Sequence, residues 1–281
     1  FLAEATPTTS YGNDVEMEVD VYDGGTDYTT QGLIRFNDIF GSGPGQVPVG
    51  ATISSANPSP SRCSPPKSRS GSTRRKPGRR LPLPGGRELV LGGGRTRVMA
   101  VLNVTPDSFS DGGAFLAPDD AVAHARQMVG AGADIIDVGG ESTRPGAAPV
   151  SAEEELQRVI PVIEALQAVI DIPVSIDTQK PTVMRAAVSA GAGMINDVNA
   201  LQADNAVQTA ARLGVPVCLM HMQGIPETMQ DMPDYRDVVT EVVSFLGARA
   251  AACEAAGISR GQIVLDPGFG FGKTVEQNLS L

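Results

Sequence analysis

From Arg97 to the end of the chain, short apolar runs alternate with longer segments of helical period. Strands that are apolar almost throughout are typical of a parallel sheet buried on both faces. Such strands are predicted at 97–103, 134–139, 173–177, 194–197, 215–220 and 263–266. Helices are predicted between them at 118–131, 151–170, 181–191, 203–213 and 234–257. Repeated β/α units of this kind fold either as a doubly wound open sheet or as a (β/α)8 barrel.

Two observations favour the barrel. The turn after the first strand reads "NVTPDSFSDGG" and lacks the Gly-x-Gly-x-x-Gly pattern of a nucleotide-binding sheet. Polar residues also stand at or just past the ends of five of the six strands, and these are Asn103, Asp177, Asn196-Asp197, His221 and Asp266. Polar groups that merely begin loops would explain one or two, whereas a barrel carries its active site at this edge. The sequence therefore predicts an α/β fold, an incomplete (β/α)8 TIM barrel with about six of its eight units.

The segments before the barrel differ from it in composition and charge. Residues 1–54 are acidic and contain short β-type runs, so they are predicted to be a β-rich fragment. The stretch "QGLIRFNDIFGSGPGQVPVGATISSA" in and after it is similar to part of a secreted β-sandwich module. Residues 55–94 are rich in Pro, Ser, Gly and Arg, a composition that predicts a disordered linker. Neither segment is expected to contribute to the barrel, which is assigned to 95–281.

Composition excludes several functional classes. The formal net charge is −10, and no aromatic residue interrupts the basic cluster in the linker, so that cluster is interpreted as solvated rather than nucleic-acid-binding. No apolar run reaches the roughly 18 residues of a membrane span. The three cysteines, Cys63, Cys218 and Cys253, lack metal-type spacing and are interpreted as free thiols. Free thiols suit a reducing compartment, which predicts a cytoplasmic location.

Six long motifs then follow one another in the order seen in dihydropteroate synthases. They are "LNVTPDSFSDGG" (102–113), "DVGGESTRPGA" (137–147), "VSIDTQKP" (174–181), "INDV" (195–198), "LMHMQGIPETMQ" (219–230) and "LDPGFGFGKTVEQNLSL" (265–281). The resemblance implies a barrel transferase of folate biosynthesis. That enzyme joins 6-hydroxymethyl-7,8-dihydropterin diphosphate to p-aminobenzoate and releases 7,8-dihydropteroate and pyrophosphate. It further implies inhibition by sulfonamides, which mimic aminobenzoate, and a homodimer.

The resemblance also assigns a pterin pocket. Asp266 resembles the family acid that binds the pterin, and a carboxylate can accept both adjacent N–H donors of the pyrimidine edge at once. Asn196 offers a donor and an acceptor to the same ring. Asp177 resembles a second acid that contacts the pterin. Met222 and Phe271 resemble residues that wall the flat pocket.

The remaining positions concern the diphosphate and the aminobenzoate. Asn103 resembles the residue whose side-chain oxygen helps bind Mg²⁺ near the diphosphate, and the resemblance thus implies Mg²⁺ as cofactor and Asn103 as its ligand. Thr143, Arg144 and Pro145 resemble a loop that closes over both substrates. Phe109 lies in a second such loop, near the aminobenzoate position.

These assignments predict catalysis without a protein nucleophile. Mg²⁺ and cationic side chains neutralise the leaving pyrophosphate, and the electron-rich pterin stabilises the methylene cation until the aniline nitrogen attacks. Asp177, Arg144 and Asn103 are therefore the predicted catalytic residues. His221 is interpreted as structural. Lys273 is a weak candidate for a phosphate ligand, because the P-loop pattern does not precede it.

The family carries further pterin and diphosphate contacts, a lysine and an Arg-x-His pair, on a seventh and an eighth strand beyond the last motif. A circular permutation that supplies them from "LIRFND" (33–38) is disfavoured, because no histidine and no helix follow it. The expectation is a truncated, weakly active synthase joined to an unrelated β fragment. Two alternatives stay open: a non-catalytic fusion fragment, and another pterin-binding barrel such as a methyl-transferring pterin protein. The "NVTPDSFSDGG" and "GESTRPGA" loops argue against the latter.

Overall fold

The computed structural model describes residues 33–36 (backbone only), 78–92, 96–105, 118–143, 148–226 and 228–281. Its centre is a sheet of seven strands in the order β1-β4-β5-β6-β7-β8-β9, in which every neighbouring pair is parallel. The strands are β1 (Leu33–Phe36), β4 (Arg97–Asn103), β5 (Ile135–Gly139), β6 (Val174–Asp177), β7 (Met194–Asp197), β8 (Val217–Met220) and β9 (Ile263–Asp266). All six predicted strands are present, within two residues of their predicted ends.

Helices connect successive strands of the sheet. They are α1 (Pro118–Gly130), α2 (Ala152–Gln167), α3 (Pro181–Ser189), α4 (Ala206–Leu213), α5 (Val238–Ala255) and, after the last strand, α6 (Val275–Ser280). Two helix starts show why they form where they do: Ser151 Oγ accepts a hydrogen bond from Glu154 N at 3.1 Å, and Pro181 occupies the first turn of α3. Parallel strands followed by helices in this way confirm the prediction of part of a (β/α)8 barrel.

Alternate residues of each strand meet different surroundings. One set, which includes Leu102, Ile136, Ile176, Ile195 and Leu219, packs with the helices in the main hydrophobic core. The other set faces the interior of the curled sheet, because successive side chains of a strand point to opposite faces. This second set carries the polar residues of the candidate site at its carboxyl end.

A β-hairpin closes the opposite end of this interior. Strands β2 (Arg79–Pro82) and β3 (Glu88–Leu91) pair antiparallel around a turn at Pro84–Gly86. The hairpin buries four leucines against interior residues near the amino ends of the strands. The cluster consists of Leu81, Leu83, Leu89, Leu91, Met99, Ile135, Met194, Cys218 and Val264.

The hairpin differs from the prediction of a disordered linker over 55–94. Averaged composition hid a local pattern, since "RRLPLPGGRELVL" spaces its leucines two apart on either side of a Pro-Gly-Gly turn. Gly85 and Gly86 both have φ of +73°, a conformation that suits glycine. Period-two spacing puts the leucines on one face, and the barrel interior supplies the surface that buries them.

Strand β1 also differs from the expectation that residues 1–96 lie apart from the barrel. Its backbone pairs in parallel with β4, with Leu33 opposite Arg97 and Phe36 opposite Ala100. The rest of the predicted β-rich fragment 1–54 and linker residues 55–77 and 93–94 lie outside the described residues.

Two smaller expectations concern the thiols and the membrane. Cys218 and Cys253 are buried and neither is in a disulfide bond, as interpreted from their spacing, whereas Cys63 lies outside the described residues. Among the helices that the structure describes, none combines the length and the apolar character that crossing a membrane requires.

Candidate active site

Four residues of adjacent strands stand at one level on the carboxyl edge of the sheet. Asn103 pairs with Gly139 between β4 and β5, Gly139 with Asp177 between β5 and β6, and Asp177 with Asn196 between β6 and β7. Three of the predicted site residues, Asn103, Asp177 and Asn196, therefore lie side by side. Asp266 ends β9 at the same edge, two strands beyond Asn196.

Gly139 leaves a small open space between two of these side chains. A Cβ at this position would lie 3.2 Å from Asn103 Oδ1 and 3.8 Å from Asp177 Oδ2. Any other residue would thus fill the gap between the amide oxygen and the carboxylate. With glycine there, two oxygen acceptors face the same space.

The Asn196 amide is held at one end and open at the other. Its Nδ2 donates to Asp137 Oδ2 at 2.8 Å, and Ser175 Oγ donates to the other oxygen of that carboxylate. Asn196 is 1 % exposed, and its Oδ1 is a buried atom with no hydrogen-bond partner. A buried acceptor without a partner is costly in a folded protein, so Asn196 Oδ1 marks a place where a ligand donor fits.

Asp266 is fixed by the loop that follows it. Its carbonyl oxygen accepts from His221 N at 2.9 Å, and its Oδ1 accepts from Gly268 N at 2.8 Å. The carboxylate is half-buried. Its orientation is therefore set by backbone groups of the loops after β8 and β9.

Lys273 ties those two loops together from within. Its Nζ is buried and donates to the carbonyl oxygens of Gly268 at 2.9 Å, Phe271 at 3.0 Å and His221 at 3.3 Å. Burial lowers its pKa to about 8, against the opposing attraction of Asp266. Because its ammonium group donates to three backbone carbonyl oxygens, Lys273 holds the two loops together. These hydrogen bonds argue against a role for Lys273 as a phosphate ligand.

His221 completes this link between the two loops. Its Nδ1 lies 3.0 Å from Lys273 Nζ, and its ring packs edge-on against Phe245 at a centroid distance of 5.0 Å. Burial and the neighbouring Lys273 charge lower the pKa of His221 to about 4. A neutral, buried histidine that accepts from an ammonium supports its interpretation as a structural residue.

Two glycines let the loops interlock. Gly268 and Gly272 have φ of +70° and +61°, and a Cβ on them would lie 2.0 Å from His221 O and 2.6 Å from Gln223 O. Met222 and Phe271, the predicted pocket walls, are half-buried members of these same two loops. The two predicted pocket walls thus lie on two interlocked loops.

Asp197 belongs to another environment, although it adjoins Asn196 in sequence. It is buried on the helix-facing side and accepts from Asn199 N at 2.7 Å and Leu201 N at 2.9 Å. Burial raises its pKa to about 7. Arg249 from α5 donates to the carbonyl oxygen of Leu201 at 2.8 Å in the same turn. Asp197 therefore shapes the turn after β7 and does not face the interior.

A charged network that sequence reasoning missed holds the loop after β5. Lys180 Nζ donates to Glu141 and to the fully buried Glu155, whose pKa is raised by burial. Glu141 Oε1 accepts from Val150 N at 3.0 Å, so it joins both ends of the loop. The sequence signal was a lysine directly before Pro181 and three consecutive glutamates at the start of α2.

The remaining predicted site residues belong to the loops after β4 and β5. Thr143 is described at the edge of the loop after β5, whereas Arg144, Pro145 and Phe109 lie outside the described residues. Within the part of the chain that the structure describes, no group of three or more His, Cys, Asp or Glu side chains is arranged to hold a metal ion.

Comparison with known proteins decides the family. The sequence model described as "Pterin binding enzyme" matches residues 99–281. The chain belongs to this family. Within the family it groups with dihydropteroate synthases: the Synechocystis enzyme is 49% identical over 201 residues, which cover 71% of this chain and 70% of that protein. The Escherichia coli K12 enzyme is 57% identical over 184 residues, so the chain spans 65% of the length of that relative.

Solved dihydropteroate synthases share the fold of this pterin-binding chain. The Yersinia pestis enzyme in complex with a sulfonamide drug superposes with a TM-score of 0.67 at 50% identity, over 72% of each chain. The Xanthomonas albilineans enzyme with 4-aminobenzoic acid gives a TM-score of 0.66 at 55% identity, over 73% of this chain and 71% of that one. Another structure of the latter enzyme contains 7,8-dihydropteroate, at a TM-score of 0.62 and 50% identity.

Proposed function

We propose that this chain is a dihydropteroate synthase, which joins 6-hydroxymethyl-7,8-dihydropterin diphosphate to p-aminobenzoate. The observation that carries the proposal is the buried, unpartnered Asn196 Oδ1, with Asp177 opposite Asn196 on the neighbouring strand and Asp266 at the same edge of the sheet. A pterin presents N–H donors along its pyrimidine edge, and acceptors of this kind complement them. The similarity to synthases crystallised with aminobenzoate and with dihydropteroate supports the same substrates here.

Recognition of the pterin rests on acceptors that are fixed before binding. Asp266 is oriented by Gly268 N and Asn196 by Asp137, so little side-chain entropy is lost when the ligand binds. Met222 and Phe271 supply apolar walls for the flat ring. Thr143, Arg144 and Pro145, together with Phe109, are proposed to close over the aminobenzoate and the diphosphate.

The residues present fit the Mg²⁺ that the family implies. Asn103 offers an amide oxygen beside the open space at Gly139, and Mg²⁺ is usually held by one or two protein oxygens together with substrate phosphates. When bound, Mg²⁺ would neutralise charge on the diphosphate and so favour its departure.

The protein's own contribution is binding, orientation and charge. The bond between the pterin methylene carbon and the diphosphate oxygen breaks, and the electron pair leaves with pyrophosphate. Asp177 is proposed to stabilise positive charge on the pterin methylene, and Arg144 is proposed to stabilise the pyrophosphate. The aniline nitrogen then forms the new C–N bond and releases a proton to solvent. His221 has no base role in this scheme, since its Nδ1 contacts Lys273.

The test uses residues 1–281 with Mg²⁺, the pterin diphosphate and aminobenzoate. We expect dihydropteroate by mass spectrometry, dependent on both substrates and reduced by a sulfonamide in competition with aminobenzoate. Calorimetry with 6-hydroxymethyl-7,8-dihydropterin measures pterin binding separately from turnover. A folded chain that neither binds the pterin nor forms product would refute the proposal. The homodimer and the cytoplasmic location stay predictions.

A further inference from the structure

We infer that Asp137 is a positioning residue that sets which end of the Asn196 amide faces the ligand, and that it thereby makes the site select N–H donors. The inference rests on the proposed function, because the ligand concerned is the pterin. Asp137 lies on β5 one layer below Gly139 and is 0 % exposed. It was not among the residues predicted from the sequence.

The argument begins with what each group can donate and accept. A carboxamide has a donating end and an accepting end, whereas a carboxylate only accepts. Asp137 Oδ2 takes the hydrogen bond of Asn196 Nδ2 at 2.8 Å, and Ser175 Oγ donates to Oδ1. With Asp137 as acceptor beneath it, Asn196 has to turn Nδ2 down and Oδ1 up.

The upward Oδ1 has a cost that a ligand can relieve. It is buried and has no partner in the free protein, and an unsatisfied buried acceptor destabilises the state that contains it. A ligand N–H at this place removes the penalty, whereas a ring nitrogen lone pair or a carbonyl oxygen would add a second acceptor. Sites built to bind a hydrogen-bonding group reject analogues that lack it far more strongly than apolar pockets reject a missing methylene.

The same reasoning gives a variant that reverses the orientation of the Asn196 amide without changing the shape of the site. Asp137→Asn is isosteric, and the new amide can keep the Ser175 bond through its oxygen while its nitrogen donates upward. As long as Ser175 Oγ donates to the new amide as it does to Asp137 Oδ1, Asn196 turns its oxygen down and presents Nδ2 to the ligand. We expect the Kd for 6-hydroxymethyl-7,8-dihydropterin to rise by about 10- to 100-fold, because a buried N–H donor of Asn196 would then face an N–H donor of the ligand.

A second substitution should restore binding. In Asp137→Asn/Asn196→Asp, the new carboxylate accepts from the new amide and presents its other oxygen to the ligand, with the net charge of the pair unchanged. We expect a Kd within about fivefold of the parent, since the acceptor is regained. Ser175→Ala is the matched control, because it removes a hydrogen bond to Asp137 but leaves the Asn196 orientation intact. Its Kd should stay within about threefold of the parent.

Calorimetry on all four proteins, each checked by thermal melting, separates the outcomes. A parent that does not bind the pterin refutes the proposed function and this inference with it. A parent that binds, with Asp137→Asn within about twofold of it, refutes the inference alone. Loss of binding in both the single and the double variant also refutes it, since the charge of Asp137 rather than the amide orientation would then be what matters.

A measurement on the parent covers the case in which Asp137→Asn fails to fold. The side-chain N–H resonances of Asn196 can be assigned by their loss in Asn196→Ala. Bonded to a buried carboxylate, they should exchange slowly with solvent in the ligand-free protein. Rapid exchange of both protons would show that the amide is not held, and would overturn the inference.

Discussion

Lys273 Nζ lies 3.0 Å from His221 Nδ1, and the pair joins the loops that follow β8 and β9. Both groups are buried: burial and the Lys273 charge lower the pKa of His221 to about 4, and burial lowers the pKa of Lys273 to about 8. The two loops that they hold carry Met222 and Phe271 and orient Asp266.

The first prediction concerns the pH dependence of stability from His221. Its pKa is about 4 in the folded protein and near 6.5 when unfolded. Between these values the unfolded state binds more protons, so stability is lost as pH falls from about 6.5 towards about 4. At pH 5 the loss from this group should be about 1–2 kcal/mol relative to pH 7. Urea unfolding of the parent and His221→Gln at both pH values checks this, and equal losses in the two proteins would contradict it.

The second prediction compares two glycines of one loop. Gly268→Ala would place a Cβ 2.0 Å from His221 O, whereas Gly270→Ala meets nothing within 4 Å although its φ is also positive, at +80°. Gly270→Ala should therefore show only the backbone strain, about 1 kcal/mol. Gly268→Ala adds displacement of the loop and should weaken pterin binding at least about tenfold. Thermal melting and calorimetry measure the difference, and equal behaviour would show that the loops do not interlock.

The third prediction tests whether the β2–β3 hairpin stabilises the barrel by packing against the amino ends of its strands. Leu81 is 1% exposed and packs against residues near the amino ends of the strands. Leu→Ala at such buried sites costs about 2–5 kcal/mol of stability. Leu279→Ala is the control, because that side chain is 55% exposed and should change stability by less than about 0.5 kcal/mol. Denaturant unfolding measures both. If Leu81→Ala left stability unchanged, residues 79–91 would be better described as the disordered linker that composition predicts.

Sequence patterns predicted the sheet well because its central strands, β5 to β8, are buried on both faces and its helices are well separated. Because both faces are buried, the residue types do not indicate which face of the sheet each side chain lies on. In "MIND" nothing in the residue types distinguishes Asn196, which faces the interior, from Asp197, which faces the helices. Only the register with β6 and β8 and the partners of each side chain do so.

Asp137 and Ser175 show a second limit. Both stand inside apolar strands, and the sequence indicates only that a buried carboxylate needs a partner. Which partner it finds depends on the shear between neighbouring strands, which puts Asp137 level with Ser175 and within reach of Asn196 two strands away. The predicted roles of Arg144, Pro145 and Phe109 stay predictions, because those residues lie outside the part of the chain that the structure describes.

The last prediction concerns Asp266 as the acceptor for the pterin pyrimidine edge. Its Oδ1 is fixed by Gly268 N at 2.8 Å, so the carboxylate is oriented before the ligand arrives. Removing a charged hydrogen-bonding partner costs on the order of 1.5–3 kcal/mol, so Asp266→Ala should raise the pterin Kd by about 10- to 150-fold. Asp171→Ala is the matched control, since this exposed aspartate precedes the amino end of β6, opposite the site. Calorimetry on both variants decides: an Asp266→Ala affinity within about twofold of the parent would remove Asp266 from the pterin site.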